Sequence, residues 1–525
     1  TGSCHFLQAA GLNILVDCGM EQGNDVYENQ ELPVAASDVD CILLTHAHID
    51  HSGLIPLMYV NGFRGQVYST SATAQLCEIM LRDSAHIQMF EAEWRNRKAA
   101  RSGGKLKEFV PLYDMDAAVN VCKQFVGCEY DRVYDIAEGI KIRFTDVGHL
   151  LGSASIEVWA TEKTENGDVT EKIVFSGDIG NINKPIIKDP KHVRDADYVV
   201  MESTYGNRSH GGTPNYVEDL TDIFKRTFER GGNVVIPSFA VGRTQELLYI
   251  IRKIKEDNLV GRDFDVYMDS PLAIEATNIF IKNVESCFDD EAVELVRKGI
   301  NPLTFPGLKY ATTGDESKQI NFDPNPKVII SSSGMCEAGR IRHHLKHNLW
   351  RPECTIVFVG YQAVGTTGRI IVDGAEEIKL FGEPIQIKAE IVQLKGSSGH
   401  ADKDGLLCWI NAFDRKPKKV FVVHGEDSVC DEFTECLKEE YGYDAMAPYT
   451  GGSYDLIADR VISEGVKERK TRRTTSTQRG KTVFDRLVAA GKRLMTVITH
   501  NEGGTNKDLA KFTDQINALC DKWDR

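Results

Sequence analysis

No apolar run in this 525-residue chain approaches the roughly 18 residues that a membrane-crossing helix needs, which argues against a spanning protein. Positive charge is also in short supply. The chain carries 62 Lys and Arg against 77 Asp and Glu, a net charge of −15 at pH 7. A global basic field is therefore absent, and any nucleic-acid binding must use a local groove. The thirteen cysteines are scattered and include no CxxC pair. Cys18, Cys41, Cys122 and Cys354 sit in or beside apolar stretches. A chain of this length buries a core without disulfide staples, so they are expected to be reduced core residues of a cytoplasmic protein. No signal peptide is expected. There is also no initiator Met, because the chain opens with Thr1-Gly2-Ser3-Cys4, so a few native residues are expected to be missing.

What is present is ordinary globular composition, 42% hydrophobic and 26% charged, which excludes a disordered, collagenous or coiled-coil chain. The length predicts about three to four domains, or fewer larger ones. The first half alternates short strands and helices. His5–Ala9 and Asn13–Asp17 flank Ala10-Gly11, a hairpin signal. Asp40–Thr45 is a continuous apolar run that suits a buried strand, and Lys141–Asp146 and Ile156–Thr161 continue the pattern. Asn166-Gly167 predicts a second hairpin turn into Lys172–Ser176. From about Asp197 the rhythm becomes strand–helix. Tyr198–Met201, Asn233–Pro237, Phe264–Met268, Lys327–Ser331 and Thr355–Val359 each precede a helical pattern, which predicts a parallel sheet with crossover helices. Lys418–Val423 is one more buried strand, followed by a helix near Ser428–Tyr441. The fold class is α/β. Arg95–Lys107 reads as a basic mobile loop and Lys467–Lys481 as a basic linker. Val483–Leu494 and Leu509–Trp523 then form a small helical tail.

The strongest local signal is Thr45-His46-Ala47-His48-Ile49-Asp50-His51, directly after a buried strand. His46 and His48 are two apart, so in extended geometry they share a side. Asp50 and His51 turn the other way as the chain enters the helix of Ser52–Val60. One metal can take the first pair and a second metal the other. Imidazole with carboxylate favours zinc or a similar first-row ion. A single HxH would read as a solvated polar loop, whereas the full HxHxDH is hard to explain that way. Two later residues fit the same site. His149 follows a strand in Val147-Gly148-His149, and Asp178 closes Phe175-Ser176-Gly177-Asp178, where a strand-end carboxylate can bridge two metals.

This order of motifs resembles the metallo-β-lactamase superfamily, whose fold is an αββα sandwich with a dinuclear site at one sheet edge. The resemblance implies that His46, His48 and His149 hold one metal, that Asp50 and His51 hold the other, and that Asp178 bridges. Asp17 matches the family's early Asp, which supports the histidine loop. The next plausible ligand, His424, lies far downstream in Val423-His424-Gly425-Glu426. The intervening unit resembles the β-CASP domain of nucleases of the cleavage and polyadenylation specificity factor type, including their prokaryotic relatives. The match rests on Glu202–Gly206 (ESTYG), Ile236–Leu248 (IPSFAVGRTQELL) and Met268–Ala273 (MDSPLA). It continues through Ser331–Leu345 (SSSGMCEAGRIRHHL), Ser397–Asp402 (SSGHAD) and Val422–Glu426 (VVHGE). The family's motifs A, B and C map to Glu202, His400 and His424, and a His at motif C goes with the RNA-processing branch. The layout is then a metallo-β-lactamase domain at 1–206 and 384–457, a β-CASP insert at 207–383, a basic linker at 458–482 and a helical tail at 483–525. Compact prokaryotic members lack such a tail.

The resemblance implies a zinc-dependent ribonuclease with two Zn2+ per chain, Mn2+ being the substitute. Endonuclease action is favoured, and 5′→3′ exonuclease action is the variant. DNA cleavage or small-molecule hydrolysis on the same fold are the alternatives. Two metals about 3.5–4 Å apart activate a hydroxide and neutralise phosphate charge, leaving a 5′-phosphate and a 3′-hydroxyl. Asp50 is expected to orient the nucleophile, and His400 to protonate the leaving oxygen with Glu202 orienting it. Ser333, Arg340 and Ser398, in Ser/Gly-rich segments, are candidate phosphate contacts, with Arg243 a weaker one. His343 and His344 lie on an expected helix, where a packing or surface role is expected rather than ligation. The expected partner is single-stranded RNA, with no membrane. A homodimer is expected by family analogy, and the tail is a candidate protein-binding appendage.

Overall fold

The hairpin of His5–Ala9 and Leu12–Val16 forms around Ala10-Gly11 and opens a five-stranded sheet. Its remaining strands, Cys41–Leu43, Gln66–Thr70 and Phe125–Cys128, run parallel to Leu12–Val16. The computed structural model describes residues 2–21, 30–101, 109–165, 167–209, 211, 215–394, 398–469, 483–503 and 505–523. Asn166, Ser397 and the basic stretches 102–107 and 470–481 lie outside the described residues.

A second sheet has seven strands, in the order Ala445–Met446, Lys419–Val423, Tyr198–Glu202, Gly167–Phe175, Ala154–Thr164, Ile140–Asp146 and Val133–Ala137. Strand alternation sorts the side chains between layers. Ile14, Val16 and Leu43 meet Phe144, Ile156, Phe175 and Phe421 between the two sheets. Leu15 and Ile42 point outward under helices Ser71–Arg101 and Ile55–Val60. Val199, Met201, Val420 and Val422 point outward under helices Lys403–Ile410 and Asp427–Glu439, with Trp409 and Phe433 filling that layer. The result is helix, sheet, sheet, helix.

A third sheet, entirely parallel, has six strands in the order Leu308–Tyr310, Asp265–Met268, Lys327–Ser331, Val234–Pro237, Thr355–Phe358 and Glu390–Gln393. Its alternate residues divide between two helical layers, Val234 and Ile236 on one face and Val235 on the other. The last strand lies beyond the boundary expected at 383. The insert packs on the long helix Ser71–Arg101, where the Asn283 amide donates to Gln75 Oε1 at 2.9 Å.

Some expectations change. Arg95–Arg101 is the last part of a 31-residue helix rather than a loop. The helix expected over Ser52–Val60 is two short ones, Ile49–Ser52 and Ile55–Val60. Strands Gln66–Thr70, Phe125–Cys128 and Val133–Ala137 carry weak alternation and were not expected. The tail forms helices Val483–His500 and Asn506–Trp523, and Thr496 ties the first to Ser37 at 2.9 Å. All thirteen cysteines are free; Cys18, Cys41 and Cys354 are buried and Cys122 half-buried. No helix among the described residues is long and apolar enough to cross a membrane.

Phe144 is fully buried between the two sheets. Phe144→Ala is expected to cost about 3–5 kcal/mol through lost transfer energy and a cavity, read as a lower urea midpoint.

Candidate metal centre

Six strand ends meet at one rim of the sandwich, and each delivers a polar side chain. Asp17 follows Leu12–Val16 with φ 60°, and His424 follows Lys419–Val423 with φ 50°; both are left-handed positions that few residues other than Gly adopt. His149 and Asp178 follow left-handed glycines, Gly148 and Gly177. A Cβ on Gly177 would come within 2.8 Å of Thr45 Cβ, so the turn needs both the conformation and the space. Glu202 ends Tyr198–Glu202. The fold over Cys41–Ser52 supplies His46, His48, Asp50 and His51.

These turns bring together all seven ligand-type residues named from the sequence. His48 Nδ1 lies 3.0 Å from His46 Nε2 and 3.2 Å from His149 Nε2. Asp178 Oδ2 lies 3.4 Å from His46 Nε2 and 3.5 Å from His149 Nε2. Its other oxygen, Oδ1, lies 3.2 Å from His51 Nε2 and 3.3 Å from His424 Nδ1. His424 Nε2 is 3.3 Å from His51 Nε2 and 3.5 Å from Asp50 Oδ2. Two groups hold the expected ligand sets, His46, His48, His149 and Asp178, and Asp50, His51 and His424; a third, Asp178, Glu202 and His424, overlaps them. Asp178 stands between them.

The far nitrogens are tied down. His51 Nδ1 is 2.7 Å from Asp17 Oδ2, and Asp17 also accepts from the Thr45 amide at 2.8 Å and the Thr45 hydroxyl at 2.9 Å. His149 Nδ1 is 3.1 Å from the Gly399 carbonyl. Partners of this kind fix ring orientation in metal sites.

The electrostatics suit cations. Burial, reinforced by neighbouring imidazoles, lowers the pKa of His46, takes His48 down to about 3 and puts His149 well below the ordinary value. They stay neutral, the form that ligates. Burial opposes the charges on Asp178 and Asp50, yet the surrounding histidines hold both carboxyls below the usual range. Asp178 Oδ1 is buried without a hydrogen bond while two imidazole nitrogens face it. An orphaned carboxylate oxygen amid converging lone pairs fits a bound cation.

Beside the cluster, His400 Nδ1 lies 3.2 Å from both carboxylate oxygens of Glu202 and 3.8 Å from Asp178 Oδ2. Burial works against its charge, but Glu202 and Asp178 outweigh it and raise His400 to about 9. Glu202 is buried and accepts from the Ile179 and Thr204 amides.

A cleft of about 3520 Å³ opens over this rim, lined by His48, Asp50, His149, His400 and His424 among others. Ser398 lines it, and its hydroxyl accepts from the His400 amide at 3.1 Å. Arg243 also lines it, paired with Glu246 at 2.6 Å. Ser333 and Arg340 are not among its lining residues. The Ser333 hydroxyl accepts from the Glu337 amide, and Arg340 donates to Asp269 Oδ1 at 2.7 Å and to the Ala311 and Thr312 carbonyls. Arg340 thus braces the insert from within. His344 is buried against Asp269, as a packing role requires, and His343 stacks on Phe381. Lys184 was not singled out, since it belongs to no motif; its ammonium donates to the His149 carbonyl at 2.8 Å.

Fold and site define a metallo-β-lactamase-type, metal-dependent hydrolase with an inserted parallel-sheet unit. The chain matches the family models for a metallo-beta-lactamase superfamily domain over residues 6–181 and a Beta-Casp domain over 244–371. It also matches the Zn-dependent metallo-hydrolase RNA specificity domain over 384–448. It is 35% identical over 428 residues to Ribonuclease TTHA0252 of Thermus thermophilus, which covers 81% of this chain and 91% of that protein. Transcription termination factor FttA of Methanosarcina mazei is 32% identical over 461 residues, covering 85% of this chain and 68% of that protein. FttA of Methanocaldococcus jannaschii is 29% identical over 460 residues, with the same two coverages, 85% and 68%. The chain belongs to the β-CASP family of metal-dependent nucleases.

Asp17→Ala removes the acceptor that orients His51 and anchors the Thr45 turn. Metal affinity is expected to fall about 10- to 100-fold, measured by titration against a competing chelator.

Proposed function

We propose that the chain is a two-zinc ribonuclease that cuts RNA internally and leaves a 5′-phosphate and a 3′-hydroxyl. The observation that carries this reading is the joining of two cation-fit groups through Asp178, with the His400–Glu202 pair beside them under one cleft. The names of the similar proteins, a ribonuclease and transcription termination factors, support RNA as the substrate class. Zinc suits the imidazole and carboxylate donor set, with Mn2+ as a substitute.

His46, His48 and His149 would hold one ion, and Asp50, His51 and His424 the other, with Asp178 shared. Bound there, the ions supply a hydroxide nucleophile at neutral pH and neutralise charge on the scissile phosphate. The chain's own groups do the rest. Asp50 orients the nucleophile. Glu202 fixes one proton on His400 Nδ1, so Nε2 is the nitrogen that can protonate the departing 3′-oxygen. The Ile179 and Thr204 amides donate to Glu202 and hold its carboxylate in place. Ser398 sets the backbone of His400 and lines the approach to it. The split metallo-β-lactamase unit, the β-CASP insert and the C-terminal tail are the working divisions of this reading.

The test is a cleavage time course on single-stranded RNA labelled differently at each end, with matched DNA and a chelator control. Early internal fragments from RNA alone, lost on metal removal, are expected. Mononucleotides released first from the 5′ end would replace internal cutting with exonuclease action. Faster cutting of the DNA would overturn the RNA assignment.

Two variants separate the roles. Asp178→Ala is expected to abolish cleavage and lower bound metal. His400→Ala is expected to keep its metal and lose about 10²- to 10⁴-fold in turnover. Metal analysis beside single-turnover kinetics checks both.

A further inference from the structure

The insert's parallel sheet ends in an arrangement that the hydrolytic chemistry does not use. Phe239 follows strand Val234–Pro237, and the residue is 44% exposed. Tyr361 follows the neighbouring strand Thr355–Phe358 and is 48% exposed. Both line the cleft that holds His149 and His400. Large rings left open at the carboxyl ends of an open parallel sheet lie where such sheets bind ligands.

The Phe239 ring is seated on glycine. A Cβ on Gly334 would lie 3.1 Å from its Cδ2 and Cε2, and one on Gly360 would lie 3.8 Å from Cε2. Gly334 follows the strand on the other side, Lys327–Ser331. The buried Gln362 amide donates to both the Gly334 and Gly360 carbonyls, at 3.1 and 3.3 Å, and joins the two sides of this shelf. The Thr244 hydroxyl fixes the Phe239 carbonyl at 2.7 Å. The same loop reaches the metal rim. Arg243 pairs with Glu246, Glu246 lies 3.5 Å from Lys184, and Lys184 holds the His149 carbonyl.

We propose that Phe239 and Tyr361 form a base-stacking platform that grips unpaired RNA bases and sets which phosphate reaches the metal rim. This rests on the ribonuclease reading. A ring in a rigid shelf loses little freedom when a base covers it. A base in a duplex already has both faces covered, so the platform selects single strands. In a chain with a net charge of −15, stacking also supplies affinity that a general basic field cannot.

The test walks a single abasic nucleotide along a cleavable RNA and measures kcat/KM with the metal-loaded protein. At one or two positions the wild type is expected to lose about tenfold, as removal of a stacked base does. Phe239→Ala and the gentler Phe239→Leu, with unchanged metal content, are expected to start lower and lose that positional sensitivity. Tyr361→Ala is expected to do the same at a neighbouring position. 2-Aminopurine placed at the sensitive position should be quenched on binding to the wild type but not to Phe239→Ala. RNA cut equally well with every abasic position would overturn the platform and leave the ribonuclease standing, and needs no variant. Undiminished sensitivity in Phe239→Ala would also overturn it. No cleavage of any RNA would overturn both readings.

Discussion

A single buried carboxylate organises the site. Asp178 has five histidines within 3.2–3.8 Å, namely His46, His51, His149, His424 and His400. A charge taken out of water is tolerated only where paired or coordinated groups replace its solvent. The imidazoles do so from different stretches of chain, and they cannot all be protonated at this spacing. Neutral His46, His48 and His149 beside an ionised Asp178 leave several lone pairs converging on one place, an arrangement that a cation fits. The rim therefore reads as a binding site even in its bare geometry, and its outer ties, from Asp17 and Gly399, hold rings whose inner nitrogens would otherwise turn away.

Delivering these groups to one place constrains the backbone. Strands Ile140–Asp146, Gly167–Phe175, Tyr198–Glu202 and Lys419–Val423 all point their carboxyl ends the same way in one sheet. A strand that simply continued would carry its next side chain past the rim. Left-handed turns at Asp17, Gly148, Gly177 and His424 stop the strand and throw the side chain across. His424, a ligand-type residue, and Asp17, which orients His51, take that conformation without glycine's freedom, a local cost accepted at such a site.

This explains why the site was more legible than much of the fold. VGH, SGD and HxHxDH join a strand end, a turn and a ligand within a few residues, so both the chemistry and its placement are local. The strong β runs, such as Lys327–Ser331, were equally readable because they are buried on both faces and carry no polar interruptions. Phe125–Cys128 and Val133–Ala137 were not, since half-exposed strands at or near sheet edges need little apolar patterning. The basic run at Arg95–Arg101 suggested a loop, but an exposed helix face also carries charge, and the helix continues through it. Arg340 is a candidate phosphate contact on sequence because its Ser/Gly-rich segment at a strand end offers backbone N–H groups and hydroxyls. Its buried counter-charge, Asp269, belongs to a different strand end, and only the tertiary structure brings it near. Lys184 was missed for the same reason.

The order of the chain adds a consequence. The histidine loop, His149, Asp178 and Glu202 all precede the inserted sheet, whereas His400 and His424 follow it. The Glu202–His400 pair and the Asp178–His424 contact are therefore made across the insert, and the cluster is incomplete until the chain has passed through that sheet and returned. The return is held by backbone as well as charge. Strand Tyr198–Glu202 pairs with Lys419–Val423 along its whole length, and the Ala401 amide donates to the Ile179 carbonyl at 2.7 Å. The insert is therefore tied into the sandwich at both of its ends. Its position sets the roof of the cleft, and the Lys184–Glu246–Arg243 series fixes that roof to the backbone of His149. Insert and rim are thus registered to each other by the same few contacts.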